Sequence, residues 1–122
     1  MPLVLYIEDN RDNQKLVYRV LQVEGYDIIM AQSALEGIAL AEENMPDLIL
    51  MDMNMPGMDG LTATKVIRQN ERIAHIPVVA LTANAMRGDR ERALEAGCDG
   101  YISKPIDVDK FPIEVARFLG GR

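Results

Sequence analysis

Five short apolar runs alternate along the chain with longer segments in which apolar residues recur at helical spacing. The runs occupy residues 3–7, 28–31, 48–51, 78–81 and 101–102. Three of them are continuously apolar, which is typical of strands covered on both faces of a parallel sheet. The pattern therefore predicts five buried strands, each followed by a helix.

The segments between the runs predict the positions of the five helices. The first carries an apolar stripe at Leu16, Val17, Val20 and Leu21. The second begins at a capping box formed by Ser33 and Glu36. The third is expected from about residue 61, with Thr64 and Ile67 inward, and the fourth from about 86 to 96, ending at Gly97. The fifth begins near residue 109, which places Pro112 in its first turn.

This (βα)5 pattern predicts an α/β fold, doubly wound, with a parallel sheet, right-handed crossovers and helices on both faces. Residues 1–122 are expected to form one domain, which is long enough to bury a substantial core. In such sheets, ligands bind beyond the carboxyl ends of the strands. The residues that directly follow each predicted strand are therefore the first candidates for function.

Charge and composition exclude several classes of protein. The chain has 13 Lys and Arg against 19 Asp and Glu, a net charge of −6, and it shows no basic stripe, which argues against direct nucleic-acid binding. Its apolar runs are too short for a membrane span or a signal-peptide core. A single cysteine, Cys98, excludes an internal disulfide and fits a reducing compartment. We therefore expect a cytoplasmic protein.

Chemically useful side chains follow four of the five predicted strands. Glu8 and Asp9 follow the first strand, Asp52 the third, Thr82 the fourth and Lys104 the fifth. Because the carboxyl ends of parallel strands meet at one edge, these side chains are expected to converge. Helix capping and turn formation explain acids at such positions, but not the simultaneous threonine and lysine.

Three clustered carboxylates repel one another unless a cation neutralises them. All the expected ligands are oxygens, which favours Mg²⁺, with Mn²⁺ as a second possibility. Lys104 and Thr82 would add a cation and a hydroxyl for a dianionic group. Asp52 is then positioned as a nucleophile toward phosphorus, forming an aspartyl-phosphate. The lone histidine, His75, falls in a loop and is interpreted as structural or neutral, and Cys98 is interpreted as a small packed residue.

Four motifs together resemble the receiver domain of two-component response regulators. They are I-E-D-N at 7–10, D-L-I-L-M-D-M-N-M-P-G-M-D-G at 47–60, A-L-T-A at 80–83 and Y-I-S-K-P at 101–105. The resemblance covers essentially the whole chain. It implies a flavodoxin-like sheet with strand order 2-1-3-4-5.

The resemblance also implies a role for each site residue. Asp52 would be the phosphoacceptor and a metal ligand. Asp9 would bind Mg²⁺ directly, Asn54 would bind it through its backbone carbonyl, and Glu8 would act through water. Lys104 would pair with the phosphoryl group.

The implied switch consists of two further residues. Thr82 would move toward the phosphoryl group, and Tyr101 would turn inward after it. The peptide bond between Lys104 and Pro105 is expected to be cis.

In function, the resemblance implies a signalling receiver and not an enzyme that turns over an external substrate. Its phosphate would come from a sensor histidine kinase or a histidine phosphotransfer protein. The readout would be the surface of the fourth helix, fifth strand and fifth helix, presented to an effector protein or a fused output domain.

Three alternatives share part of the pattern. A haloacid-dehalogenase-like phosphatase uses the same residue types, but its nucleophile follows the first strand in a D-x-D motif. A flavodoxin-like FMN carrier needs a phosphate-binding loop where this chain has Glu8 and Asp9. A degenerate receiver would lack one of the acidic residues or Lys104.

Overall fold

The computed structural model describes residues 1–55, 57–83 and 88–119, in which strands and helices alternate. The strands are β1 (Leu3–Ile7), β2 (Asp27–Ala31), β3 (Leu48–Asp52), β4 (Val78–Thr82) and β5 (Gly100–Ser103). The helices are α1 (Arg11–Val23), α2 (Ala34–Asn44), α3 (Gly60–Gln69), α4 (Asp89–Ala96) and α5 (Phe111–Phe118). All strand pairs are parallel, and their order is β2-β1-β3-β4-β5. The predicted fold and strand order are confirmed.

β2, β3, β4 and β5 each extend one or two residues beyond their predicted apolar runs, and α5 begins two residues later than predicted. β3 extends through Asp52, so this carboxylate lies on the strand itself and not after it. α5 begins at Phe111, because Asp107 accepts hydrogen bonds from the amides of Asp109 and Lys110 and forms a turn before the helix. Pro112 lies in the first turn of that helix, as predicted. The predicted start of the fourth helix at Met86 lies outside the described residues.

The sheet separates two apolar cores. Leu5, Ile7, Ile49 and Met51 face α2, α3 and α4, whereas the intervening Tyr6 and Leu50 face α1 and α5. Successive residues of a strand point to opposite faces, so both cores draw on the same strands. This two-sided burial is the physical reason for the continuous apolar runs.

The start of α3 packs directly on the end of β3. A Cβ atom at Gly60 would lie 2.8 Å from the Asp52 carbonyl oxygen and 2.5 Å from Met53 Cε. The helix can approach this closely only because residue 60 has no side chain. Asp59 caps the helix by accepting a 2.8 Å hydrogen bond from the Thr62 amide. The loop after Asp52 is thereby held against the sheet.

Arg68 connects the end of α3 to two loops at the opposite edge of the sheet. Its guanidinium donates hydrogen bonds to the carbonyls of Ala74, Ile76 and Gly97 at 2.7–2.9 Å. It also forms a 2.8 Å ion pair with Asp99. A planar guanidinium with several fixed donors is suited to such multiple bonding. The bond to Gly97 anchors the C-terminal end of α4.

No helix within the described ranges is long and apolar enough to cross a membrane.

Candidate functional site

Three carboxylates meet where β1 and β3 end. Asp52 is the last residue of β3, and Glu8 follows β1; their exposed fractions are only 2% and 1%. Asp9 is exposed beside them. One carboxylate oxygen from each of the three residues lies within 4.8 Å of the other two. The three carboxylates expected to converge at this rim therefore do so.

Lys104 joins the cluster from the loop after β5. Its Nζ lies 3.0 Å from Asp52 Oδ1 and 3.1 Å from Glu8 Oε1. Two buried carboxylates are costly to desolvate, and a cation between them offsets part of that cost. The bond between Lys104 and Pro105 is cis, as predicted.

Glu8 is fixed by several hydrogen bonds that are not evident from the sequence motifs. The fully buried Tyr6 donates its hydroxyl to Glu8 Oε1 at 2.8 Å. Asn13 Nδ2 donates to the same oxygen at 3.3 Å, and the Asn10 amide donates to Oε2 at 3.3 Å. The contact between Tyr6 and Glu8 is predictable from strand periodicity, because residues two apart on a strand share a face.

The electrostatics of the buried pair are asymmetric. Burial raises the pKa of Asp52, and the neighbouring Glu8 raises it further; the Asn54 amide and Lys104 only partly offset this. Burial also raises the pKa of Glu8, but its interactions with Asp52, Tyr6 and Lys104 lower it by more. Within the pair, Asp52 is therefore the carboxylate that binds a proton more readily.

For Lys104, burial lowers the pKa, but the hydrogen bonds and charges of Asp52 and Glu8 raise it by more. The side chain is consequently cationic at neutral pH. An ammonium group that remains charged beside the cluster offers a permanent partner for an anionic group that binds there.

The donor set fits a hard divalent cation. The cluster of Glu8, Asp9 and Asp52 offers carboxylate oxygens, and the exposed Asp9 gives solvent access for water ligands. Such a set suits Mg²⁺, which takes one or two carboxylates and keeps several waters. The Asn54 amide donates a 3.1 Å hydrogen bond to Asp52 Oδ1, which places the backbone of residue 54 beside the Asp52 carboxylate. That the Asn54 carbonyl binds the metal stays a prediction.

Thr82 and Tyr101 lie on the side of the sheet that α2, α3 and α4 cover. Thr82 ends β4, two residues after Ala80, which belongs to the core under α2, α3 and α4. Its buried hydroxyl donates to Asp89 Oδ2 at 3.1 Å. The half-buried Tyr101 ring packs on the same core, and the Arg90 guanidinium carbon lies 5.2 Å from its centre. Both residues predicted to form the switch therefore contact α4.

The remaining candidates lie apart from the carboxylates. His75 is exposed in a turn shortly before β4. Cys98 is buried, and its sulfur lies 3.6 Å from the Thr64 hydroxyl oxygen. Burial raises the pKa of the Cys98 thiol, which makes it a poor nucleophile.

Comparisons with known proteins place the chain in a family. Residues 4–116 match the family model of the response regulator receiver domain. The polar-differentiation response regulator DivK of Brucella ovis is 46% identical over 117 residues, covering 96% of this chain and 95% of DivK.

Two solved structures are similar along nearly their whole length. The receiver domain of sensor histidine kinase PA1611 from Pseudomonas aeruginosa PAO1, solved with magnesium in its active-site cleft, has a TM-score of 0.89 and 36% identity, covering 98% of both chains. The chemotaxis protein CheY4 of Vibrio cholerae has a TM-score of 0.91 and 26% identity, covering 97% of this chain and 98% of its own.

Proposed function

The chain belongs to the response regulator receiver domain family, and on that premise we propose that it accepts a phosphoryl group on Asp52. The observation that carries the proposal is the environment of one oxygen atom. Asp52 Oδ1 accepts a 3.0 Å hydrogen bond from Lys104 Nζ and a 3.1 Å hydrogen bond from the Asn54 amide. These contacts hold a buried carboxylate in one orientation at the rim of a rigid sheet, which favours in-line attack.

Phosphoryl transfer would proceed by direct displacement. A carboxylate oxygen of Asp52 forms a bond to phosphorus as the bond between phosphorus and the nitrogen of a donor phosphohistidine breaks. The electron pair of the broken bond returns to the histidine nitrogen. Lys104 neutralises charge on the transferred group, which is the main requirement of such transfers.

The acyl phosphate would then be lost to water. A water oxygen bonds to phosphorus, the bond between phosphorus and the Asp52 oxygen breaks, and inorganic phosphate leaves the regenerated carboxylate. The protein thus resets its own phosphorylation and does not turn over an external substrate.

Asp9, Asp52 and the Asn54 carbonyl are the groups proposed to hold Mg²⁺, with Glu8 acting through water. When bound, the ion neutralises carboxylate and phosphoryl charge. The carboxylate chemistry of the cluster and its opening at Asp9 support this assignment.

We propose a sensor histidine kinase or a histidine phosphotransfer protein as the donor, in the cytoplasm. The phosphorylated form would be read by an effector protein or a fused output domain through α4, β5 and α5. Among the similar proteins, DivK is a response regulator and the PA1611 domain is part of a sensor kinase, so either setting suits this proposal.

Intact mass measured after incubation with a small phosphodonor and Mg²⁺ tests the acceptor. Wild type should gain one phosphoryl group, and Asp52→Asn should gain none. Asp59→Asn is a matched control, because it changes a carboxylate in the same loop and asparagine caps a helix as well as aspartate. An adduct that persists in Asp52→Asn would contradict the proposal.

A further inference from the structure

We propose that Asp89 is a positioning residue that holds the Thr82 hydroxyl against α4 and so competes with the phosphoryl group for it. This inference rests on the proposed function and extends it to a residue outside the carboxylate cluster. It predicts that Asp89 determines how readily the site converts to its phosphorylated conformation.

The competition follows from the number of protons available. A threonine hydroxyl carries one hydrogen and can donate only one hydrogen bond. In this structure Thr82 donates it to Asp89 Oδ2 at 3.1 Å. A phosphoryl oxygen on Asp52 can receive that proton only after the bond to Asp89 is broken.

Asp89 is itself held in place. It is the first residue of α4, where the partial positive charge of the helix N-terminus favours a carboxylate. The Arg92 guanidinium pairs with its other oxygen, Oδ1. The helix therefore fixes the acceptor, and the movement of Thr82 away from Asp89 breaks this hydrogen bond between β4 and the start of α4.

Different contacts anchor the two ends of α4. At the C-terminal end, Arg68 binds the Gly97 carbonyl at 2.8 Å within its set of backbone contacts. At the N-terminal end, Asp89 accepts the hydrogen bond from Thr82, and the Arg90 guanidinium carbon lies 5.2 Å from the centre of the Tyr101 ring. Loss of the Thr82 bond thus removes a contact at the end of α4 that places Arg90 over Tyr101, whereas the Arg68 bond to Gly97 is unaffected.

Removing the competing acceptor should favour the phosphorylated conformation. A ligand that stabilises one conformation binds more tightly when the other is weakened by substitution. Because hydrogen bonds to charged groups are strong, we expect beryllofluoride to bind Asp89→Ala about tenfold more tightly than wild type. Asp89→Asn keeps an uncharged acceptor and should give a smaller increase.

The test is a titration of the Mg²⁺-loaded protein with beryllofluoride, followed by amide NMR. Glu91→Ala is the matched control, since it removes an exposed carboxylate from the same first turn of α4. Its affinity should equal that of wild type. If Asp89 acts through Thr82, Asp89→Ala should change nothing in a Thr82→Ala background, whereas a general effect on the helix would persist there.

Three results would overturn the inference: equal affinities of Asp89→Ala and wild type, an equal gain in Glu91→Ala, or an undiminished gain in the Thr82→Ala background. If Asp89→Ala does not fold, Asp89→Asn decides in the same way. Failure of wild type to bind beryllofluoride would overturn the proposed function as well. If wild type binds beryllofluoride and Asp89→Ala binds it with the same affinity, only this inference is overturned.

Discussion

Lys104 Nζ lies 3.0 Å from Asp52 Oδ1, although 52 positions of sequence separate the two residues. The contact arises because β3 and β5 both end at the same edge of the sheet, with β4 between them. The same ammonium lies 3.1 Å from Glu8 Oε1 at the end of β1. One lysine thus links the ends of three chain segments, and its charge compensates two buried carboxylates.

Replacing Lys104 by alanine should slow phosphoryl transfer to Asp52. The charge that the transferred group carries would lose its fixed cationic partner, and losses of such groups are on the order of a hundredfold in rate. The measurement is the rate of aspartyl-phosphate formation from a small phosphodonor, read by intact mass. Lys110→Ala removes an exposed lysine near the start of α5 and should leave the rate unchanged. An unchanged rate in Lys104→Ala would rule out its proposed role.

Asp52→Asn should raise the free energy of unfolding of the metal-free protein at neutral pH, and Glu8→Gln should lower it. The pKa of Asp52 is raised by burial, so its ionised form is less favourable in the folded protein than in the unfolded chain. The pKa of Glu8 is lowered, so its ionised form is stabilised by folding. Each unit of pKa difference corresponds to about 1.4 kcal/mol, which sets the scale of both effects.

The changes in unfolding free energy that these two variants cause should depend on pH for opposite reasons. The contribution of Asp52 to stability is present below its unfolded-state pKa and is lost as pH rises through its raised folded-state pKa. The contribution of Glu8 is present above its unfolded-state pKa and is lost as pH falls through its lowered folded-state pKa. Urea unfolding in a chelator at several pH values should therefore show both differences shrinking in acid. Destabilisation by Asp52→Asn at neutral pH would contradict the assigned directions.

Much of the site was predictable because a parallel sheet brings the ends of its strands together. Glu8, Asp52 and Lys104 could be assigned to one rim because each follows or ends a strand of a parallel sheet. The bond from Tyr6 to Glu8 was predictable in principle from strand periodicity. The bond from Thr82 to Asp89 was not, because it depends on the path that the chain takes between β4 and α4. Opposite pKa shifts in two adjacent carboxylates likewise depend on burial and on hydrogen bonds, which the sequence does not specify.

Asp9→Asn should weaken Mg²⁺ binding more than Glu8→Gln does. Asp9 is the exposed member of the cluster and is proposed to bind the ion directly. One oxygen of Glu8, in contrast, already accepts hydrogen bonds from Tyr6, Asn13 and Lys104. Mg²⁺ titrations followed by amide NMR would give both dissociation constants. Asp12→Asn, an exposed carboxylate in the first turn of α1, serves as the control. Equal losses in Asp9→Asn and Glu8→Gln would show that the two acids share the ion.

Thr82→Ala should still accept phosphate on Asp52 but transmit little of the change to Tyr101. The variant lacks the hydroxyl that binds Asp89 in the resting protein and that we expect to bind the phosphoryl group afterwards. Amide hydrogen exchange at the start of α4 should therefore be fast in the resting variant and respond weakly to saturating beryllofluoride, whereas wild type should show a clear change. Thr62→Ala, at an exposed threonine of α3, should behave as wild type. A full response around Tyr101 in saturated Thr82→Ala would exclude the hydroxyl as the link between phosphate and α4.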